Sequence, residues 1–284
     1  MMAAQLDDNL TAALADLDAR LRGHGSLLVA FSGGADSAFL LAAATRALGP
    51  DAVAAATAVS PSLPPSELDA AREFAASLGV RHLTPGTDEL SREGYRANAG
   101  DRCYFCKSEL LDTLNPLASQ LGIATIATGT NADDAIAGFR PGIRAAAERG
   151  AITPLRDAGL TKSQIRTASR IWGLTTWDKP AAACLSSRIA YGIEVTSRGL
   201  SRVARAEAHL RTTLHNAGIP IRNLRVRDMG DDHAKIEVDP DLVEAVAAST
   251  LTTTLEDFTS VTLDPRGFRS GAMNELLPNP DKYR

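Results

Sequence analysis

The chain has 284 residues, 44% of them apolar, with 30 basic against 34 acidic side chains, a formal charge of −4 and a pI near 5.8. It is long enough to bury one large core and a smaller one, and its slight acidity gives no bulk attraction for nucleic acid or an anionic membrane. No apolar run approaches bilayer length, and three cysteines, an odd number, do not make an extracellular disulfide framework, so a cytoplasmic protein without nucleic acid or membrane partners is expected.

In chain order, Leu6, Leu10, Leu14, Leu17 and Leu21 fall on one face of an amphipathic N-terminal helix. The apolar run from Leu27 to Phe31 reads as a buried strand that stops at Ser32-Gly33-Gly34, and a helix follows through Leu48. Residues 51–60 give a second strand, 66–78 a helix and 80–83 a third strand. Residues 84–107 are charged, are expected to be irregular, and end in Cys103-x-x-Cys106; 107–121 are expected to be helical. Residues 123–130 give a fourth strand with Asn131, Asp133 and Asp134 at its end. Strands alternating with helices predict an α/β fold, a parallel sheet with helices on both faces. Ligands sit at the carboxyl ends of such strands. The SGGADS (32–37) and GTNADD (129–134) segments both fall there and should share one site. Residues 160–166 begin a capped helix with Lys162 and Arg166 on one face. After Gly192 come a helix over 197–217, two alternating strands (222–229 and 233–238), a helix after Asp239-Pro240 and a last strand near 258–264. The expected division is a large domain, 1–192, and a small α/β domain, 193–284.

Two chemistries stand out. Ser32, Gly33, Gly34, Asp36 and Ser37 form a strand, a glycine turn and a helix N-terminus, in which successive N–H groups and the helix dipole make a phosphate nest. The spacing and lysine of a Walker A loop are absent; the segment resembles the PP-loop of ATP pyrophosphatases, which cleave ATP between the α and β phosphates and adenylate a substrate. The Cys103-x-x-Cys106 pair alone suits zinc, a redox disulfide or an iron–sulfur cluster. With Cys184 there are three thiols, and none of the five histidines sits at finger spacing. That set suits a [4Fe–4S] cluster with one open iron, and Arg102, Lys107 and Arg188 beside the thiols are expected to favour thiolates.

SGGADS, RCYFCK (102–107), GTNADD, KPAAACLSSR (179–188) and GFRSGAMNE (267–275) together resemble the LarE family of ATP-dependent sulfur transferases, over nearly the whole chain. The resemblance implies adenylation of a carboxylate on pyridinium-3,5-biscarboxylic acid mononucleotide and its conversion to a thiocarboxylate. It further implies ATP and Mg²⁺, and a hexamer assembled through the small domain. Family members differ in sulfur source. In one form the cysteine matching Cys184 surrenders its own sulfur; in the three-cysteine form, favoured here, Cys103, Cys106 and Cys184 hold a [4Fe–4S] cluster carrying a transferable sulfide. On this reading Ser32, Gly33, Gly34, Asp36 and Ser37 cradle pyrophosphate, with Asp36 helping to place Mg²⁺. Residues 58–60, ending in Ser60, contact adenine. Gly129, Thr130, Asn131, Asp133 and Asp134 face ribose, α-phosphate or metal. Lys162 and Arg166 neutralise the departing phosphates, and Arg188, Arg225 and Arg227 are candidates for the substrate's phosphate and second carboxylate. Asp231, Asp232, Glu237 and Asp239 are read as a hydrated acidic surface in preference to a cation site.

A tRNA thiolase would share the adenylation chemistry, but the acidic chain has no recognisable RNA-binding module. A GMP- or NAD-synthetase-like enzyme leaves the cysteines unused. A non-catalytic nucleotide-binding regulator or iron–sulfur scaffold would not require both SGGADS and GTNADD.

Overall fold

The computed structural model describes residues 8–136, 140–180, 183–249 and 255–277. Strands β1 (Leu27–Ala30), β2 (Val53–Ala56), β3 (Arg81–Leu83) and β4 (Ile126–Thr128) form one parallel sheet in the order β3-β2-β1-β4. Around it lie α1 (Asp8–Arg22), α2 (Ala35–Leu48), α3 (Pro65–Ser77), α4 (Glu93–Arg96), α5 (Arg102–Gln120), α6 (Ala132–Ile136), α7 (Pro141–Glu148), α8 (Pro154–Asp157) and α9 (Lys162–Ile171). The strand pleat sorts side chains to two faces. Leu27, Val29, Val53 and Ala55 join a core with α1, α2, α3 and α9, whereas Leu28, Ala30, Ala54, Ala56 and Ile126 join one with α5 and α7. Each fully buried leucine contributes about 1.5–3 kcal/mol, and Leu10, Leu17 and Leu21 of α1 are buried; Leu6 of the same stripe lies outside the described residues. The chain leaves β1 toward β2 and β3 on one side and returns to β4 on the other. That reversal opens a crevice between the ends of β1 and β4, where SGGADS and GTNADD lie.

The stretch expected to be irregular before Lys107 is largely structured. Helix α5 begins at Arg102, so Cys103 and Cys106 stand on its first turns, and α4 packs across it. The contact depends on Gly94, where an added Cβ would lie 2.1 Å from the Phe105 ring. Glycine and charge density, which read as loop in the sequence, here mark a close helix crossing.

The remaining chain forms α10 (Ser197–Asn216), β5 (Leu224–Asp228), β6 (His233–Val238), α11 (Val243–Ala248) and β7 (Ser260–Leu263). β5 and β6 pair antiparallel, and β6 and β7 parallel. α10 lays Leu200, Val203, Leu210 and Leu214 on Val226, Ile236 and Val238, and the same core takes in Tyr95, Leu185 and Ile189 from earlier in the chain. The expected alternation of buried and exposed residues fails in β5, all five residues of which are buried. The polar face is covered because Arg227 pairs with Glu237 at 2.6 Å and the Arg225 guanidinium lies 5.0 Å from the Phe268 ring centroid. Glu237 is thus no part of a hydrated surface. Among the described residues, no helix is long and apolar enough to cross a membrane.

Candidate active site

The ends of β1, β2 and β4 open into a cavity of about 470 Å³, within the range of small-molecule sites. At one end the chain turns at Gly33 with φ of 72°, and Gly34 enters α2 with no side chain capping the helix's first N–H groups. These are free to meet an anion. Ser32 and Ser37 face each other at 3.1 Å, and Ser37 Oγ donates to the Gly34 carbonyl. Gly129 closes the opposite wall, its backbone so near α2 that a Cβ there would lie 2.8 Å from Ser37 N. Asn131 Nδ2 donates to Asp36 Oδ2 at 3.2 Å. Asp36 Oδ1 is buried without a partner among the described residues, and burial holds this carboxyl above its usual range, Asp134 adding to the shift and Lys162 opposing it. An orphaned carboxylate oxygen at the mouth of a phosphate nest has the donor chemistry for a hard divalent cation. Asn131 and Asp134 exchange turn hydrogen bonds, and Asp133 accepts the Lys162 N–H at 2.8 Å, joining α6 to α9. A Thr161/Gln164 capping box starts α9, which aims Lys162 and Arg166 into the cavity. Ser60 Oγ donates to the buried Glu89 carboxylate at 2.5 Å.

Cys106 and Cys184 line the same cavity, and Cys103, three residues before Cys106, is solvent-accessible. All three are free thiols. The turn at Cys184 is fixed from several sides: Arg102 donates to Ser186 O, Tyr95 and Ser186 hydroxyls meet at 2.5 Å, and Leu185 N–H donates to Ser62 O. The expected thiolate bias does not hold at Cys103 and Cys106. Although Cys103 touches solvent, it sits in a recess crowded enough that burial raises its thiol more than Arg102 lowers it. Burial also pushes Cys106 up, with Cys184 and Glu89 adding to the shift. Burial lowers Lys107 correspondingly, the two cysteines opposing. No group of three or more His, Cys, Asp or Glu side chains converges on a single ion position among the described residues.

No protein-family model matches the chain. It is 44% identical over 256 residues to the uncharacterized protein slr1717 of Synechocystis sp., covering 88% of this chain and 92% of that protein. It is also 35% identical over 267 residues to the pyridinium-3,5-bisthiocarboxylic acid mononucleotide synthase of Lactiplantibacillus plantarum, covering 93% of this chain and 94% of the synthase. The chain belongs to the LarE family.

In this LarE-family enzyme the parallel sheet flanked by helices is the α/β architecture expected of the PP-loop resemblance. Of the residues singled out in the sequence, Ser32, Gly34, Asp36, Ser37, Ser60, Gly129, Thr130, Asp134, Lys162, Arg166, Cys106 and Cys184 line the cavity. Gly33, Asn131 and Asp133 brace it from behind. Arg188, Arg225 and Arg227 lie behind the Cys184 turn and are not among its lining residues. Arg188 makes a bidentate pair with Glu207 at 2.8 and 3.0 Å and donates to the carbonyls of Ala183 and Cys184, while Arg227 also donates to Ser187 O. Sequence reasoning passed over Glu67, Glu89, Tyr95 and Lys179. No motif flags the first three, but Lys179 opens the KPAAAC segment and its position in that motif was a usable signal. Ala181 and Ala182 of the same segment lie outside the described residues.

Proposed function

We propose that this enzyme adenylates a carboxylate of pyridinium-3,5-biscarboxylic acid mononucleotide with ATP and Mg²⁺ and converts it to a thiocarboxylate. The observation that carries this reading is one cavity lined both by the glycine turn at the start of α2 and by two thiols, Cys106 and Cys184. The substrate carboxylate oxygen attacks the α-phosphorus, the α–β bridging bond breaks, and pyrophosphate leaves into Ser32, Gly33, Gly34 and Ser37. Lys162 and Arg166 stabilise the charge that accumulates on it. Asp36, whose Oδ1 has no partner among the described residues, would hold the Mg²⁺, and Asn131, Asp133 and Asp134 hold the loop that would face ribose and α-phosphate. A sulfur nucleophile then attacks the acyl carbon, the bond to the phosphate oxygen breaks, and AMP leaves.

Cys103, Cys106 and Cys184 are the residues that would hold a [4Fe–4S] cluster: three free thiols, Cys106 and Cys184 lining the cavity and Cys103 three residues before Cys106 on α5. When bound, the cluster would supply a labile sulfide as the transferable sulfur. Arg102, Ser62 and Tyr95 hold the Cys184 turn in place for it. Arg188, Arg225 and Arg227 remain the proposed contacts of the substrate's phosphate and second carboxylate, which requires them to exchange internal partners. We assign ATP chemistry to 1–192, and substrate binding and hexamer assembly to 193–284, in the cytoplasm.

The test combines anaerobic loading with iron and sulfide, single-turnover assay of pyrophosphate, AMP and thiocarboxylate, and mass analysis of the protein. About four irons in the wild type, lost in Cys103→Ala, with one pyrophosphate and one AMP per thiocarboxylate and intact Cys184, is the expected result. Pyrophosphate release unaffected by Asp36→Ala would overturn the adenylation step. A Cys184 short of one H₂S after turnover would move the sulfur source to that side chain.

A further inference from the structure

Lys179 touches three of the elements that bound the phosphate nest. Its ammonium donates to Gly33 O at 3.0 Å and to Glu67 Oε2 at 2.7 Å, its carbonyl accepts from Arg166 at 2.9 Å, and its N–H donates to Thr176 O. Lys179 and Glu67 both line the cavity and are largely shielded, with side chains 21% and 25% exposed. Glu67 is therefore a carboxylate placed where a polyanion is to bind. Alone it would repel phosphates, and Lys179 neutralises it. An ammonium has three N–H donors, two of which are committed here, on a flexible four-carbon stem. Phosphate oxygens arriving at Gly34 carry more negative charge than one carboxylate and lie within the same shielded recess, so they compete favourably for that ammonium. Lys179 also stands only five positions before Cys184, whose turn faces the same cavity.

We propose that Lys179 is a further nucleotide-binding residue, which transfers its ammonium from Glu67 to the nucleotide's phosphates. This rests on the nucleotide reading of the cavity. The transfer needs no covalent change: one ion pair is exchanged for another, and Glu67 turns to solvent.

The experiment is calorimetric titration of the full chain with Mg²⁺ and the uncleavable α,β-methylene analogue of ATP. It uses wild type, Lys179→Met, Lys179→Arg, Glu67→Gln and the Lys179→Met/Glu67→Gln double variant. The expected outcome is about tenfold weaker binding in Lys179→Met, the size of a lost charge-assisted hydrogen bond, with partial recovery in Lys179→Arg. Glu67→Gln binds more tightly than wild type, and this gain disappears in the double variant. A Lys179→Met protein that binds like wild type overturns the proposal, as does a Glu67→Gln gain retained in full beside Lys179→Met, which would mean that Glu67 repels phosphate directly. Wild type that fails to bind the analogue at all overturns the nucleotide reading itself, and the inference with it.

Discussion

Replacing Gly129 by alanine tests whether the end of β4 is fitted to the nest or merely adjacent to it. The added Cβ would lie 2.8 Å from Ser37 N, 2.9 Å from Ser37 Cα and 3.1 Å from Asp36 C. All three are backbone atoms of the first turn of α2, so no side chain can swing aside. Ordinary contact begins near 3.4 Å, and one of the two segments must retreat by roughly 0.6 Å. Overpacking of this kind costs about 1–3 kcal/mol, offset by about 0.4–1 kcal/mol because alanine narrows the unfolded ensemble. The net loss of about 1–2 kcal/mol lowers Tm by roughly 2–6 °C for a chain of this size. Displacement of the nest should weaken Mg-ATP binding about tenfold, since sub-ångström misplacement of positioning groups carries costs of that order. Differential scanning calorimetry and titration calorimetry measure the two effects. Gly86→Ala is the control, because nothing lies within 4 Å of its added Cβ. A Gly129→Ala protein that melts and binds as wild type does would refute the close-approach argument.

Asp36→Asn should reduce pyrophosphate release by at least about a hundredfold while leaving Tm unchanged or raised, because it removes a buried carboxylate one of whose oxygens has no partner among the described residues. Burial holds the folded Asp36 carboxyl above 3.8, so the stability this group contributes is fully present below that value and is lost as pH rises through the folded pKa; urea titrations of Asp36→Asn should lack that component. Asp239 has the opposite sign. Burial alone would raise it, but the N–H and side-chain amide of Asn223 and the N–H of Arg222 hold it below 3.8, so its contribution is present above 3.8 and lost as pH falls through the folded value. Asp239→Ala should cost about 1–2 kcal/mol at neutral pH and flatten the acid limb of stability. Glu207→Ala strips the carboxylate from Arg188, which is only 5% exposed, and should cost about 3–5 kcal/mol by urea unfolding; a loss below about 1 kcal/mol would show that the pair is solvated.

What was legible in the sequence was whatever local physics decides. The Leu27–Ala30 strand stops because Ser32, Gly33 and Gly34 cannot extend it, and the two apolar sets of the sheet follow from a period of two. The α9 capping box was readable because its signal spans four residues, Thr161 to Gln164. The rest depended on distant partners. Gly94 and the charges before Lys107 read as loop, but Phe105 packs in the space a side chain would have filled. Arg225 and Arg227 read as a polar strand face open to a ligand, whereas Phe268 and Glu237 cover them, and burial beside Arg188 and Arg227 lowers Arg225 to about 10. Thiolate character at Cys103 and Cys106 was argued from neighbouring cations, but the degree of burial that outweighs those cations is not written in the local sequence.

The two ends of the cavity rest on different cores, and this bears on where the working unit divides. The nest is built on β1, α2 and the end of β4, whose side chains lie in the sheet's own cores. The thiol wall is not. Tyr95 and Leu185 are buried with α10, β5 and β6, Phe105 and Cys106 pack against that cluster, and a bridge joins Ile189 to Asp228. Arg102 fastens the first turn of α5 to Ser186 O, and Asn98 reaches the carbonyls of Ala190 and Ile193. A cut near residue 192 would leave the SGGADS turn supported and would strip Cys106 and the Cys184 turn of the core that Cys106, Leu185 and Ile189 pack in. The wall formed by Cys106 and the Cys184 turn therefore belongs energetically to the small sheet although it precedes that sheet in sequence. Any rearrangement of the small sheet moves Cys106 and the Cys184 turn relative to the SGGADS turn.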